Sequence, residues 1–422
     1  MSSVTEADGT AAPLAGIRVL DYGQYVAAPF GTMLLADLGA DVIKVESPSG
    51  DQWRYYEPFA PGESRFFYAL NRNKRSLALD LKTPEGRARS HDLIATADAL
   101  VHNCLPERAN RFGLDRETVS RVNPRCVWVA ISAFGNEGPD SGRPAYDLIA
   151  QALSGLLMAD ARPGDNVPRR MGGLAIADFS AGMLAAIAVL AGLAARTDSR
   201  SRGIEVSLLG AALALQAQRF VSVEPLDVPA RAERLEHGPP YATPRDLASL
   251  AARVSSQEAL EPYYRTYRCA DGFLALACLN TPQRLAVCDV FGLDDPWAAN
   301  PQAEPDDERE RERRLAHVHR IEEGFAARPV ADWVEELGRR GVPAGEVRFL
   351  DGLFEDPQAE ANGLVQTIVQ PGVGEVRLLG NVFKVDGRAV PARRGAPMLD
   401  EHAQDLPGDE SDWAPASSQG RS

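Results

Sequence analysis

Between Gly172 and Met183 the chain reads Gly-Gly-Leu-Ala-Ile-Ala-Asp-Phe-Ser-Ala-Gly-Met, and Asp178 is the only charged residue in it. From Met183 to Ala195 the sequence is almost wholly apolar. A carboxylate beside so much apolar chain is partly stripped of water, so its charge is costly unless a cation pairs with it. Such a group can serve as a nucleophile or as an acid and base. The competing reading is structural: Asp178 caps a helix that starts at Phe179, accepting from an early backbone N–H. The two roles are compatible, because a helix N-terminus stabilises a nearby negative charge and would help keep the carboxylate ionised.

Other polar segments could hold a ligand. Of 45 basic residues only four are lysines, Lys44, Lys74, Lys82 and Lys384, and a compact ammonium is not interchangeable with a guanidinium. Lys74 stands in Asn71-Arg72-Asn73-Lys74-Arg75-Ser76, a basic segment suited to a phosphate-bearing ligand or, equally, to a solvated turn. His102 to Leu114 follows an apolar strand pattern and contains Arg111, which could clamp a phosphate. Ser132 to Pro139 follows the next strand and has the Gly and Pro content of a ligand loop, with Phe134 placed to cover an apolar or aromatic group. As an alternative, it is an ordinary turn.

The elements that must position these residues alternate between strand and helix. Ile17 to Asp21 reads as a strand, Phe30 to Leu38 as a helix closed by Gly39, and Asp41 to Glu46 as a second strand. Strand Ser76 to Leu81, helix Pro84 to Thr96, strand Ala99 to His102, helix Arg116 to Val122 and strand Cys126 to Ile131 follow. This order predicts an α/β fold with a parallel sheet flanked by helices. The turn from Tyr22 to Phe30 lacks the G-x-G-x-x-G fingerprint, which argues against NAD.

After Ala195 comes a polar turn, Thr197 to Gly203, then a strand and a helix to about Phe220. Residues 222–258 show no clear periodicity and read as a linker. A hairpin around Ala270-Asp271-Gly272 opens a second, smaller domain over 259–330. The charge run Pro301 to Arg314 reads as a solvated helix face, and residues 331–406 as a return to the large domain begun at 14–221. The small polar residues of 1–13 and the acidic, Ser-rich 407–422 read as disordered ends.

Composition narrows the function. The chain has 422 residues and a net charge of -14, which argues against nucleic acid or an anionic membrane surface as the main partner. Its longest apolar run, Gly182 to Ala195, is short for a membrane span and suits a buried helix. Five scattered cysteines form no C-x-x-C pair, and six histidines are dispersed, so no zinc site or other metal centre is expected. A cytoplasmic location is the simplest inference.

Several motifs in collinear order carry a resemblance. They are Leu20-Asp21, Leu35 to Glu46, Asn73-Lys74-Arg75-Ser76 with Leu79-Asp80-Leu81-Lys82, Asn103 to Leu114, Gly138-Pro139, Tyr146-Asp147 with Gln151 to Gly155, and Asp178 with Gly182. Weaker similarity continues through Gly341 to Gly345 and Asp356-Pro357. In these the chain resembles the family III CoA-transferases, the group of formyl-CoA transferase and carnitine CoA-transferase, from about Leu14 to about His402. The resemblance implies a Rossmann-like large domain whose parallel sheet is formed from both chain ends, a smaller α+β domain, and an interlocked homodimer.

It also implies chemistry. Asp178 would be the nucleophile that moves CoA from an acyl-CoA donor to a carboxylic acid acceptor through aspartyl anhydride and aspartyl-CoA thioester intermediates, with no permanently bound cofactor. Backbone N–H groups near Gly172 and Gly173 would serve the oxyanions. The CoA contacts carried over are Asn71, Arg72, Asn73, Lys74, Asn103, Cys104, Leu105, Arg111 and Phe134.

The chain departs from the family in three places. It has Asn103-Cys104-Leu105 where Asn-Phe-Arg is common, Ser47 where some members carry Arg, and Val26 in place of a polar residue of formyl-CoA transferase. The glycine-rich lid of that enzyme is also missing, which speaks against oxalate, while Tyr25, Val26 and Phe134 hint at an apolar acyl pocket. A related reading is an α-methylacyl-CoA racemase, but the racemase His stands where this chain has Tyr146, and a tyrosine is no base at neutral pH. A reading of another class is a non-catalytic CoA-binding partner subunit, which would have no need of Asp178.

Overall fold

The computed structural model describes residues 12–405 apart from 172, 197–201, 238, 240, 301–304 and 306. The expected disordered ends therefore fall almost wholly outside the described residues, as does most of the polar turn after Ala195. The chain divides into two units, one comprising Met1–Leu157, Arg170–Val228 and Phe354–Ser422, the other Met158–Arg169 and Pro229–Leu353.

The larger unit opens as an alternation of strand and helix. In chain order it contains β1 (Arg18–Asp21), α1 (Ala27–Asp37), β2 (Asp41–Glu46), α2 (Arg65–Asn71), β3 (Lys74–Ala78), α3 (Pro84–Thr96), β4 (Ala99–His102), α4 (Pro106–Phe112), α5 (Arg116–Val122), β5 (Val127–Ser132), α6 (Asp147–Leu153), α7 (Ile176–Ala194), β6 (Gly203–Ser207) and α8 (Leu208–Ala214). Local chemistry sets several boundaries. Thr83 caps α3 by accepting from Gly86 N, with Pro84 in its first turn, and α4 stops at Gly113, whose φ of 70° is the left-handed value glycine tolerates.

The six strands form one parallel sheet in the order β3-β2-β1-β4-β5-β6. Alternate residues face opposite sides. Val19, Val42, Val101 and Val129 pack with α1, α7 and α8, while Leu20, Ile43, Leu100 and Trp128 pack with α3, α4 and α5. Helices cover both faces, so the strands read as nearly continuous apolar runs.

α1 and α7 touch through bare backbone. A Cβ on Gly31 would sit 2.5 Å from Gly182 O, and one on Gly182 would sit 2.6 Å from Ala27 O. Phe30 and Phe179 close the contact edge to face, with ring centroids 4.9 Å apart. Only glycine at both positions lets the axes come this near. α7 is long and apolar enough to cross a membrane, yet here it packs on α1, α8 and the sheet.

After its first segment, Met158–Arg169, the smaller unit resumes within α9 (Glu224–His237) and continues with α10 (Pro244–Ala259), β7 (Tyr264–Arg268), β8 (Phe273–Ala277), α11 (Thr281–Phe291), α12 (Glu308–Ala326), α13 (Val330–Arg339) and β9 (Ala344–Glu346). β7, β8 and β9 form an antiparallel sheet. The segment 222–258 is thus helical where a linker was expected. Thr243 and Asp246 form a reciprocal capping box that starts α10, and Leu247 and Ala251 bury one face of it. The charge run is also not wholly solvated, because Arg314 is buried and donates to Leu260 O.

The chain then returns to the larger unit with α14 (Pro357–Ala361), β10 (Val365–Gln370), β11 (Gly374–Leu379), β12 (Lys384–Val385) and β13 (Arg388–Ala389). Both chain ends build this unit, but the parallel sheet takes all its strands from residues 18–207, which corrects the expectation of a sheet formed from both ends. The C-terminal segment instead covers the β3 edge. Ala78 N donates to Asp400 Oδ1, Ser76 N to His402 Nδ1 and His402 N to Ser76 O. These bonds satisfy edge groups that would otherwise be unpaired.

Candidate active site

The sheet order reverses between β1 and β4, and a doubly wound sheet binds ligands at the carboxyl ends of the strands flanking such a point. The loops leaving these two strands are clasped there: Gln24 N donates to Asn103 Oδ1 at 3.0 Å, and Asn103 Nδ2 donates to Gln24 O at 2.8 Å. Beneath the first loop lies a buried charge cluster. Lys74 Nζ donates to Asp21 Oδ2 (2.9 Å), Pro29 O (2.7 Å) and Asn71 Oδ1 (2.9 Å). Lys44 Nζ reaches Asp51 Oδ2 and Gly23 O, both at 2.9 Å.

Burial strips water from Asp21, but the two ammonium groups outweigh that and hold its carboxyl below the usual range. Burial pushes Lys74 down to about 8 against the pull of Asp21. The cluster fixes the loop above it. Gly23 N donates to Asp21 Oδ1 and Tyr25 N to Asp51 Oδ1, and Tyr25 is held at a φ of 65°, which a bulky residue adopts only under constraint.

Tyr25 meets Trp53 on one side and Tyr146 on the other, both edge to face. Burial and the neighbouring Tyr146 push its phenol up to about 12. Immediately after Tyr146, α6 starts with Asp147. This buried carboxylate accepts from Ala177 N at 2.7 Å and from Asp178 N at 3.4 Å through Oδ1, while Gln151 Nε2 donates to its Oδ2 at 2.5 Å. Gln151 also reaches Leu174 O and accepts from Met171 N. Asp147 and Gln151 therefore organise the turn that leads into α7.

Asp178 is not the cap expected from its sequence. α7 begins at Ile176 with Ala175 at the N-cap, which has no acceptor side chain, and Asp178 falls in the first turn. Asp147 supplies the missing cap from another helix. The net shift runs against stabilisation of the charge: partial burial first, and then repulsion from Asp147, push the Asp178 carboxyl up to about 7. Among the described residues no donor satisfies that carboxylate.

The other expected residues separate into two groups. Asn71, Arg72, Asn73 and Lys74 are buried, and their side chains are spent inside the fold. Arg72 pairs with Asp37 and donates to Gly380 O, and Asn73 bridges Asp37 to the backbone of Arg393 and Arg394. A phosphate would have to break buried ion pairs to reach the side chains of Arg72 and Lys74.

The second group borders the switch point. Leu105 and Arg111 are exposed, and Asn103, Cys104 and Phe134 are partly so. Burial pushes the Cys104 thiol up to about 11, which disfavours its thiolate. Phe134 sits in a loop tied by Gly135 N to Ser132 Oγ, with the Arg143 guanidinium 5.5 Å from its ring. Val26 is buried at the start of α1. Gly173 is described, with a φ of 74°, and Gly172 lies outside the described residues.

Sequence reasoning missed the role of Asp147, whose four-residue spacing to Gln151 on a helix was the available signal. It also missed Arg108, an exposed residue of α4 whose charge acts on both Tyr25 and Cys104. A cavity of about 890 Å³ in the smaller unit is walled by Arg162, Arg265 and Arg314 with Glu258, and none of the expected site residues lines it.

A doubly wound sheet with a poorly solvated carboxylate in the first turn of the helix packed on α1 suits a ligand-binding α/β enzyme. Residues 14–403 match the model of CoA-transferase family III, and the chain belongs to that family, as an enzyme that transfers CoA. It is 31% identical over 397 residues to a succinyl-CoA:glutarate CoA-transferase of Mus musculus, covering 93% of this chain and 85% of that protein. It is also 31% identical over 399 residues to an acetyl-CoA:oxalate CoA-transferase of Acetobacter aceti, covering 93% and 95%. Among solved structures, a CaiB/BaiF family protein from Brucella suis superposes with a TM-score of 0.72 at 27% identity, over 94% of this chain and 98% of that one.

Proposed function

We propose that this chain is an acyl-CoA:carboxylate CoA-transferase with Asp178 as its nucleophile. The observation that carries the reading is a poorly solvated carboxylate with no donor among the described residues, its helix turn joined through Asp147 and Tyr146 to the loop at the switch point; burial and Asp147 raise its proton affinity. An Asp178 oxygen attacks the thioester carbonyl, the C–S bond breaks, and CoA leaves as thiolate. The product is a mixed anhydride. The thiolate then attacks the aspartyl carbonyl, expelling the donor carboxylate and forming an aspartyl-CoA thioester.

The acceptor carboxylate opens that thioester to a second anhydride, and the thiolate takes the acceptor acyl group, which restores Asp178. Charge is conserved at each step, so covalent catalysis needs no proton donor. The exposed Arg108 and Arg111 on α4 suit the phosphates of CoA, and Phe134 the acyl or adenine end. The names of the relatives span dicarboxylates of different length, including oxalate, so the acids are best found by screening a panel of acyl-CoA donors and carboxylates.

The reading includes an interlocked homodimer, supported by exposed apolar side chains on α7 (Met183, Ile187, Leu190) and α6 (Leu148, Ile149, Leu153). It also includes a cytoplasmic setting, in which five free cysteines stay reduced. The decisive test is Asp178→Ala and Asp178→Asn, each expected to abolish transfer. Hydroxylamine added with acyl-CoA should leave a hydroxamate on Asp178, read by mass spectrometry. Full activity in either variant, or no adduct during turnover, would overturn the assignment.

A further inference from the structure

We propose that Asp147 is a positioning residue for Asp178, taking the main-chain donors at the start of α7 for itself and setting a second negative charge beside the reacting carboxylate. The inference rests on Asp178 being the nucleophile. An acidic residue in the first turn of a helix is ordinarily stabilised by the free N–H groups there. Here Asp147 already accepts from Ala177 N and Asp178 N, and Gln151, itself fully buried, holds its other oxygen. Two of the donors at the start of its own helix are thereby taken from Asp178.

The charges around α7 leave Asp147 as the group responsible. The helix packs on α1, α6, α8, β4, β5 and β6. Among the described residues, their titratable side chains are Asp37, Asp147, His102 and Glu205, since α8 and β5 carry none. Asp37 is paired with Arg72, His102 is kept neutral by burial, and Glu205 is exposed. Acylation converts the Asp178 carboxylate into a neutral anhydride or thioester, which removes one of two neighbouring like charges. The repulsion is present in the free enzyme and relieved in the intermediates, so it favours the acylating step.

The test is the pH dependence of the first acylation, read as CoA thiol released on mixing enzyme with acyl-CoA and hydroxylamine. The wild-type acid limb should have its midpoint near 7. Asp147→Asn keeps an oxygen for Ala177 N but removes the charge. Its midpoint should fall by about one pH unit or more, and its plateau rate by about threefold as the nucleophile weakens. Asp147→Ser, shorter and also uncharged, should move the midpoint the same way and guards against a folding defect in the first variant.

A purely structural Asp147 would lower the rate at every pH without moving the midpoint, and that result overturns the proposal. The two levels of inference fail separately. Activity in Asp178→Asn defeats the nucleophile assignment, whereas a hydroxamate on Asp178 with superimposable profiles for wild type and Asp147→Asn defeats only the role of Asp147.

Discussion

Replacing Asp178 by Asn should make the protein more stable above neutral pH, as well as inactive. The folded carboxyl is raised from 3.8 to about 7, so it keeps its proton where the unfolded one has lost it. The stability it contributes is therefore full below the unfolded value and is lost as pH rises towards the folded value. A shift of roughly three pH units sets a ceiling of about 4 kcal/mol, and partial exposure with solvent screening reduces this to about 1–2 kcal/mol. For a unit of this size that corresponds to about 2–6 °C in melting temperature.

Calorimetry of the ligand-free protein from about pH 5 to about pH 8.5 reads the effect directly. The gap between variant and wild type should widen up to about pH 7 and then stay constant. A gap that is independent of pH, or a variant less stable throughout, would refute the claim that the fold holds this carboxylate at a cost.

Other perturbations probe the parts that support it. Lys74→Met leaves Asp21 charged and poorly compensated in the core, so denaturant unfolding should show a loss of about 3–5 kcal/mol. Gly182→Ala drives a Cβ to within 2.6 Å of Ala27 O, which should cost about 1–3 kcal/mol in melting experiments and lower kcat by displacing α7. Arg111→Ala should raise KM for acyl-CoA with an unchanged melting temperature, because the side chain is exposed, whereas Arg72→Ala should lower the melting temperature by stranding buried Asp37.

Much of the fold was legible because its signals are local. The bounds expected for Asp41–Glu46, Pro84–Thr96, Ala99–His102 and Arg116–Val122 coincide with those in the structure, since apolar runs, caps and glycines adjacent in sequence define them. The helical character of 222–258 was not legible, because the capping box at Thr243 is weak beside the prolines and charges around it. The burial of Asn71 to Lys74 was not legible for a different reason. A basic segment looks the same in sequence whether it faces solvent or closes on Asp21 and Asp37, and those partners are 35 or more residues away. The apolar surroundings of Asp178 were legible in the sequence, but its helix takes its cap from Asp147 on another helix, a contact that spacing along the chain does not encode.

The bare-backbone contact between Gly31 and Gly182 bears on how selectivity can be set. It locks the helix that carries Asp178 to the helix that follows the β1 loop, so the floor of the site behaves as one rigid plate. Substrates cannot be sorted by moving Asp178 relative to that loop. Discrimination between acids falls to the segments that border the plate without being welded to it, the loop from Ala133 to Tyr146 foremost among them.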